Sequence, residues 1–258
     1  MAKGKVGGGW FRPVTLPVPT LKTWALLFAL LFGLAWTVGK RLHDYLAVEA
    51  PDPGAKTLVI ETGASPGLVA YVKKLSQSKR YTRYIPVGMP LDPLSPLAHF
   101  GTMADVWQEH LIRIGIPSEQ IELVRLPGLP RHRTAHKALA VARHLADHPA
   151  AAIDLMSTST HARRSQLLYA EALAPVSVGV RAAPQPYDMK HWWRSSAGVR
   201  AVINELVALG YVWVKGDEVE QAQAEWDGLS SEQRQASGRR DTPHPVTPSP
   251  SEAPAPAH

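Results

Sequence analysis

Ser157-Thr158-Ser159-Thr160-His161-Ala162-Arg163-Arg164-Ser165 gathers five hydroxyls, one imidazole and two guanidiniums into nine positions. The run before it, Ala151 to Met156, is short and mostly apolar, and the pattern after it carries Leu167, Leu168 and Ala172 on one side. That order predicts a strand, a polar turn and a helix. Ligands of open α/β sheets sit at the carboxyl ends of strands, where helix N-termini point. Such termini offer free N–H groups and partial positive charge, which suit an anion. Cations in the first turn oppose that dipole, and a bound anion reconciles the two. The plainer alternative is a helix capped by hydroxyls, with solvated arginines.

A second basic loop, Arg131-His132-Arg133-Thr134, precedes an Ala-rich helical stretch and follows the expected third strand. In a doubly wound sheet both loops fall on one edge, and arginine forks suit phosphate or carboxylate. Glu61 ends the first expected strand on that same edge. The expected site therefore has Glu61 and His161 as proton-transfer groups. Gly63, Arg133, Thr134, Ser157, Thr158 and Arg164 are the expected ligand-binding residues.

Two other patterns compete. Gly63-Ala64-Ser65-Pro66-Gly67 matches G-x-S-x-G between a strand and a helix, the setting of a nucleophile elbow. Ser65 followed by Pro66 is also an ordinary helix start. His132, His136, His144 and His148 recur at multiples of four, a spacing that can present imidazoles to a metal. No carboxylate joins them at a suitable spacing, so no metal site is expected.

Positioning these residues takes alternating strands and helices. Thr57 to Glu61, Tyr81 to Val87, Ile121 to Leu126, Ala151 to Met156 and Val176 to Val180 read as strands. Helical patterns lie between them, and a long one runs from Trp192 to Trp213. This alternation predicts a Rossmann-like, doubly wound α/β domain with a mainly parallel five-stranded sheet.

The chain has 258 residues, no Cys and a formal charge of +6. Disulfide and thiolate chemistry are excluded. Seven Arg and Lys fall between Arg125 and Arg164, against Asp147 and Asp154. No aromatic interleaving or nucleic-acid motif accompanies them, so a nucleic-acid partner is not expected. Nothing in the residues names a cofactor. Between Lys22 and Lys40 there is no charge, and Trp24 and Trp36 sit where interface aromatics belong. Residues 23–42 are therefore expected to be one transmembrane helix, near the lower end of the roughly 17–25 residues that cross a bilayer. A cleaved signal peptide is the rival reading. Residues 1–22 read as a flexible basic tail, 43–56 as a linker, 57–215 as the α/β domain and 216–258 as a polar, Pro-rich disordered tail. The positive-inside rule leans toward a cytoplasmic N-terminus, with the body outside the cytoplasm.

The domain resembles the SanA/YdcF/ElyC family of bacterial envelope proteins over roughly residues 57–213. The most specific match is Met156-Ser157-Thr158-Ser159-Thr160-His161-Ala162-Arg163-Arg164, where His161 and Arg164 fall on the family's His-x-x-Arg. Thr134 matches the family's preceding loop, whereas its Glu-Asn pair is replaced by Ala135 and His136. Glu205 on the closing helix also fits, as do Tyr187-Asp188 and Trp192-Trp193-Arg194-Ser195-Ser196. The resemblance implies a Rossmann-like domain tethered by one N-terminal helix, with a role in cell-envelope biogenesis. The expected protein is a single-pass bacterial inner-membrane protein with a periplasmic body. It would bind a small anionic metabolite or a lipid-linked precursor, as a transferase or hydrolase. A non-catalytic scaffold for envelope-enzyme partners is the alternative, and a serine hydrolase using Ser65 is the third.

Overall fold

The computed structural model describes residues 20–229. The chain divides into two units, one up to Arg41 and one from Leu42 onward. The parts of the expected tails at residues 1–19 and 230–258 lie outside the described residues.

In the first unit, α1 (Leu21–Leu46, continuing into the second unit) has 26 residues. At about 1.5 Å rise per residue this exceeds the roughly 30 Å hydrocarbon core of a bilayer. Its apolar side chains are exposed all round, Phe28, Leu30, Phe32 and Leu34 among them. The helix is long and apolar enough to cross a membrane. Lys40 sits over the Trp36 ring, 5.1 Å from its centroid.

The second unit is an α/β fold. Its elements are β1 (Thr57–Ile60), α2 (Pro66–Gln77), β2 (Arg83–Gly88), α3 (Met103–Arg113), β3 (Val124–Arg125) and α4 (Arg133–Asp147). Then come β4 (Ala152–Thr158), α5 (Ala162–Ala172), β5 (Ser177–Ala183), α6 (Ser196–Lys215) and α7 (Glu218–Asp227). The five strands are all parallel, in the order β3-β2-β1-β4-β5. This is the doubly wound arrangement expected from the alternation. β1 and β4 are adjacent in the sheet but far apart in sequence, so the strand order reverses between them and a crevice opens at their carboxyl ends.

Both faces of the central strands are apolar because helices cover both. Val59, Ile153 and Leu155 pack with Val141 and Leu145 of α4 and Tyr169 of α5. Leu58, Ile60 and Met156 pack on the other face with Val72 of α2 and with Trp107 and Leu111 of α3. Gly216 ends α6 at φ 66°, and a Cβ on Gly179 of β5 would collide with the Asp154 carboxylate and the Asp52 amide. Asp154 accepts hydrogen bonds from Asp52 N (2.7 Å) and the Tyr81 hydroxyl (2.6 Å), which moors the chain entering β1.

Three stretches differ from their expected character. The segment at 43–56 is not a free linker. His43 and Leu46 are buried, and Ala50 pairs with Val180 of β5. Its apolar side chains found partners on α6 and on Trp192. The polar segment after Gly216 contains α7, whose Val219 and Ala222 pack on Ala135, Leu139 and Leu168. His136 Nε2 meets Glu225 Oε2 at 2.9 Å, and Arg143 lies over Trp226, 4.3 Å from the ring centroid. Few apolar residues suffice when a hydrogen bond and a cation–aromatic contact to α4 supply the rest. The stretch from Trp192 starts as a separate 3₁₀ turn, Trp192–Arg194. α6 then begins at Ser196, after Ser195 accepts a bond from Gly198 N.

Candidate functional site

Glu61 follows β1 directly and is buried at the β1/β4 crevice. Its backbone N–H donates to Met156 O of β4 (3.3 Å). Its Oε1 accepts hydrogen bonds from Ser157 Oγ (2.7 Å) and from Ser165 Oγ. The other oxygen, Oε2, is buried as well. The Tyr169 hydroxyl is buried beside the carboxylate, and burial, the Glu61 charge and a hydrogen bond with Glu61 push its pKa well above the ordinary phenol range. Burial opposes ionisation of Glu61. The charges of Lys137 and His161 and the two serine bonds outweigh it and hold its pKa below the ordinary carboxylate value.

α5 supplies three of these contacts from one face. His161, Ser165 and Tyr169 are spaced at four, so they stack along the side turned to Glu61. α4 supplies Arg133 and Lys137 with the same spacing, and Thr134 beside them. Lys137 Nζ donates to the Glu61 carbonyl (2.7 Å). Burial lowers its pKa, as do Arg133 and Arg164, against the pull of Glu61.

His161 sits between two carboxylates. Its Nδ1 lies 2.8 Å from Glu205 Oε1 of α6, and its Nε2 lies 3.8 Å from Glu61 Oε1. A carboxylate at Nδ1 selects the tautomer with the proton on that nitrogen. In the neutral ring of that tautomer, which Arg164 Nη2 opposes by approaching Nδ1 at 2.9 Å, Nε2 carries the lone pair, with Thr134 Oγ1 at 3.3 Å. Arg164 closes the ring of contacts. Its Nε donates to Glu205 Oε2 (3.0 Å) and its Nη1 to Thr134 Oγ1 (3.5 Å). Desolvation resists the ionised form of Glu205, but His161 and Arg164 prevail and lower its pKa to about 2.

Arg133, Thr134, Lys137, His161 and Arg164 line an open cleft of about 360 Å³, together with Glu218; Glu61 and Glu205 stand behind that wall and do not line it. Arg133 is exposed at its mouth and makes no salt bridge among the described residues. The arrangement can hold an anion against Arg133 and Lys137. It can also move a proton at His161 Nε2, because the imidazolium that results is stabilised from both sides.

The structure brings Glu61, His161, Arg133, Thr134 and Arg164 together. Ser157 belongs to the cluster but not to the cleft: it is fully buried and bound to Glu61. Alternation along β4 puts it on the face of Ile153 and Leu155, the covered side. Thr158 is half-buried at the strand end, and Gly63 is exposed beyond β1 with open space where a side chain would go. Neither lines the cleft. Lys137 and Ser165 join as residues the sequence reading did not single out. Arg163 points elsewhere, stacking on Tyr45 at 4.1 Å.

Ser65 is exposed in relaxed extended geometry (φ −78°, ψ 155°), not the strained turn of a nucleophile elbow. The four spaced histidines separate. His136 pairs with Glu225, while Glu122, His144 and His148 approach one another closely enough to share a cation. Both Glu122 oxygens are already held there, by Arg83 Nε (2.8 Å) and Nη2 (2.7 Å) and by His144 (2.7 Å). Among known proteins, no family model matches the chain and no curated protein is found to match it.

Proposed function

We propose that this is a membrane-anchored protein of the bacterial cell envelope. Its α/β body binds a phosphate- or carboxylate-bearing ligand and moves a proton on it, as a hydrolase or transferase. The carrying observation is His161. Its Nδ1 is held by Glu205, and its Nε2 faces a cleft walled by Arg133, Lys137 and Arg164. His161 is the proton acceptor, from a ligand hydroxyl, from Thr134 or from water. Glu205 orients the ring, and Glu61, kept ionised by Lys137 and two serines, stabilises the imidazolium. Arg133 and Arg164 hold the anion, with Thr134 between them.

The envelope setting rests on the apolar helix α1 and on the likeness of the His161–Arg164 stretch to SanA/YdcF/ElyC proteins. An inner-membrane location with a periplasmic body follows from the weak charge bias around that helix.

Titration calorimetry with inorganic phosphate on the full chain in nanodiscs tests the binding half. Arg133→Ala with Arg164→Ala should weaken affinity tenfold or more while the circular dichroism spectrum is kept. An unaltered affinity would remove the arginines from the site. Complementation tests the chemical half. Full rescue of a deletion strain by the Glu61→Ala, His161→Ala double variant would leave a non-catalytic scaffold as the better reading.

A further inference from the structure

The anion cleft does not end at Arg164. His132, Arg164 and Glu218 also border a second open cavity of about 500 Å³. Its remaining wall is the outer side of α6: Asn204, Val207, Ala208 and Tyr211. The two cavities are therefore neighbours across one shared rim. Each falls within the roughly 300–1,000 Å³ of ligand pockets. Their chemistry differs: one is lined by three cations, a hydroxyl, two imidazoles and Glu218, the other, past the shared His132, Arg164 and Glu218, by a helix face without charge.

That face continues beyond the cavity. Ile203, Val207, Tyr211 and Val214 form one stripe along α6, and Val207 is 69% and Val214 86% exposed. A stripe of this kind on a soluble surface marks an interaction site. Only Gly39 to Arg41 separate the uncharged run ending at Val38 from the body's first residue, Leu42.

We infer that the ligand is an amphiphile. On the anion-site reading proposed above, its single anionic head sits between Arg133 and Arg164, and its aliphatic chain lies along the α6 groove over Val207, Ala208 and Tyr211. Arg164, on the shared rim, marks the junction of head and chain. A groove whose α6 wall is mainly apolar, leading out of a pocket that holds Arg133, Lys137 and Arg164, selects such a molecule over a free sugar phosphate, whose hydroxyls would find only Asn204 and the Tyr211 hydroxyl along that wall.

A homologous series tests this with the full chain in nanodiscs: inorganic phosphate, then ethyl, butyl and hexyl phosphate, on wild type and on Val207→Asp. Val207 is exposed, so the substitution leaves the core intact. Affinity should rise about twofold per methylene, half the free energy of full burial because the groove is open. Val207→Asp should abolish that rise while inorganic phosphate still binds. Equal affinity along the series on wild type overturns the amphiphile and leaves the anion site standing. A rise that survives Val207→Asp puts the chain in the bilayer, not in the groove, and overturns it too. If inorganic phosphate and hexyl phosphate both fail to bind, the anion site itself falls.

Discussion

His161 Nδ1 and Glu205 Oε1 lie 2.8 Å apart, although 44 positions separate them. The contact joins the N-cap of α5 to the middle of α6 and fixes which ring nitrogen faces the cleft. Without Glu205 nothing else holds the proton on Nδ1, and Arg164 Nη2 approaches that nitrogen at 2.9 Å. Glu205→Ala should therefore move His161 toward the Nε2–H form, readable from its ¹⁵N ring shifts at alkaline pH. It should also free Arg164 and tighten phosphate binding several-fold. A ring that keeps its proton on Nδ1 in the variant would show that Glu205 does not set the tautomer.

Glu205 also sets a pH dependence. Its pKa is about 2 in the folded protein against an ordinary 4.5. A depressed carboxyl stabilises the fold above its unfolded pKa, and that contribution is lost as pH falls through the folded value. The window thus runs from about pH 4.5 down to 2, with a contribution on the order of 3 kcal/mol. Glu122, lowered to about 2 chiefly by its hydrogen bonds to Arg83, adds to the loss in the same window. Denaturant unfolding at pH 5.5 and pH 2.5 should show Glu205→Gln losing less stability than wild type across that interval. An equal loss in both would place the acid sensitivity elsewhere.

Ser165 touches no ligand surface, yet it should matter. It donates to the buried Glu61 carboxylate. Ser165→Ala takes one hydroxyl donor from that carboxylate and should cost about 1–3 kcal/mol at pH 7. Because Glu61 is held below its ordinary pKa, the deficit should shrink once the carboxyl is protonated in acid. A cost that stays constant with pH would point to packing around Ser165, not to the charge of Glu61.

Much of this was legible beforehand, and the limits are physical. Strands alternate with helices because each apolar run is short and bounded by turn residues, so the parallel sheet could be read from the chain. Glu61, His161 and Arg164 could be read because strand ends and helix starts lie on one edge of such a sheet. The spacing of His161, Ser165 and Tyr169 was a usable sign of one helix face turned to Glu61. The pairing with Glu205 was not legible, since it depends on how α6 crosses α5. Ser157 looked like part of an anion cradle because it is a hydroxyl in a polar turn. Its place in the strand's alternation turns it inward instead. α7 escaped notice because only a few apolar residues, chiefly Val219 and Ala222, seat it, with contacts to α4 such as His136 with Glu225 supplying the rest.

The apolar helix invites the most direct test. Leu30 and Leu34 are exposed near the middle of the uncharged run of α1. An arginine at the centre of a bilayer helix costs about 2.5–3.5 kcal/mol on insertion scales. The Leu30→Arg, Leu34→Arg double variant should therefore move the chain from the carbonate-resistant membrane fraction to the soluble fraction, while phosphate binding by the body persists. Wild type found in the soluble fraction would remove the anchor. A double variant that still sediments with membranes would mean that another surface holds the protein there, and the exposed stripe of Ile203, Val207, Tyr211 and Val214 on α6 is the one to substitute next.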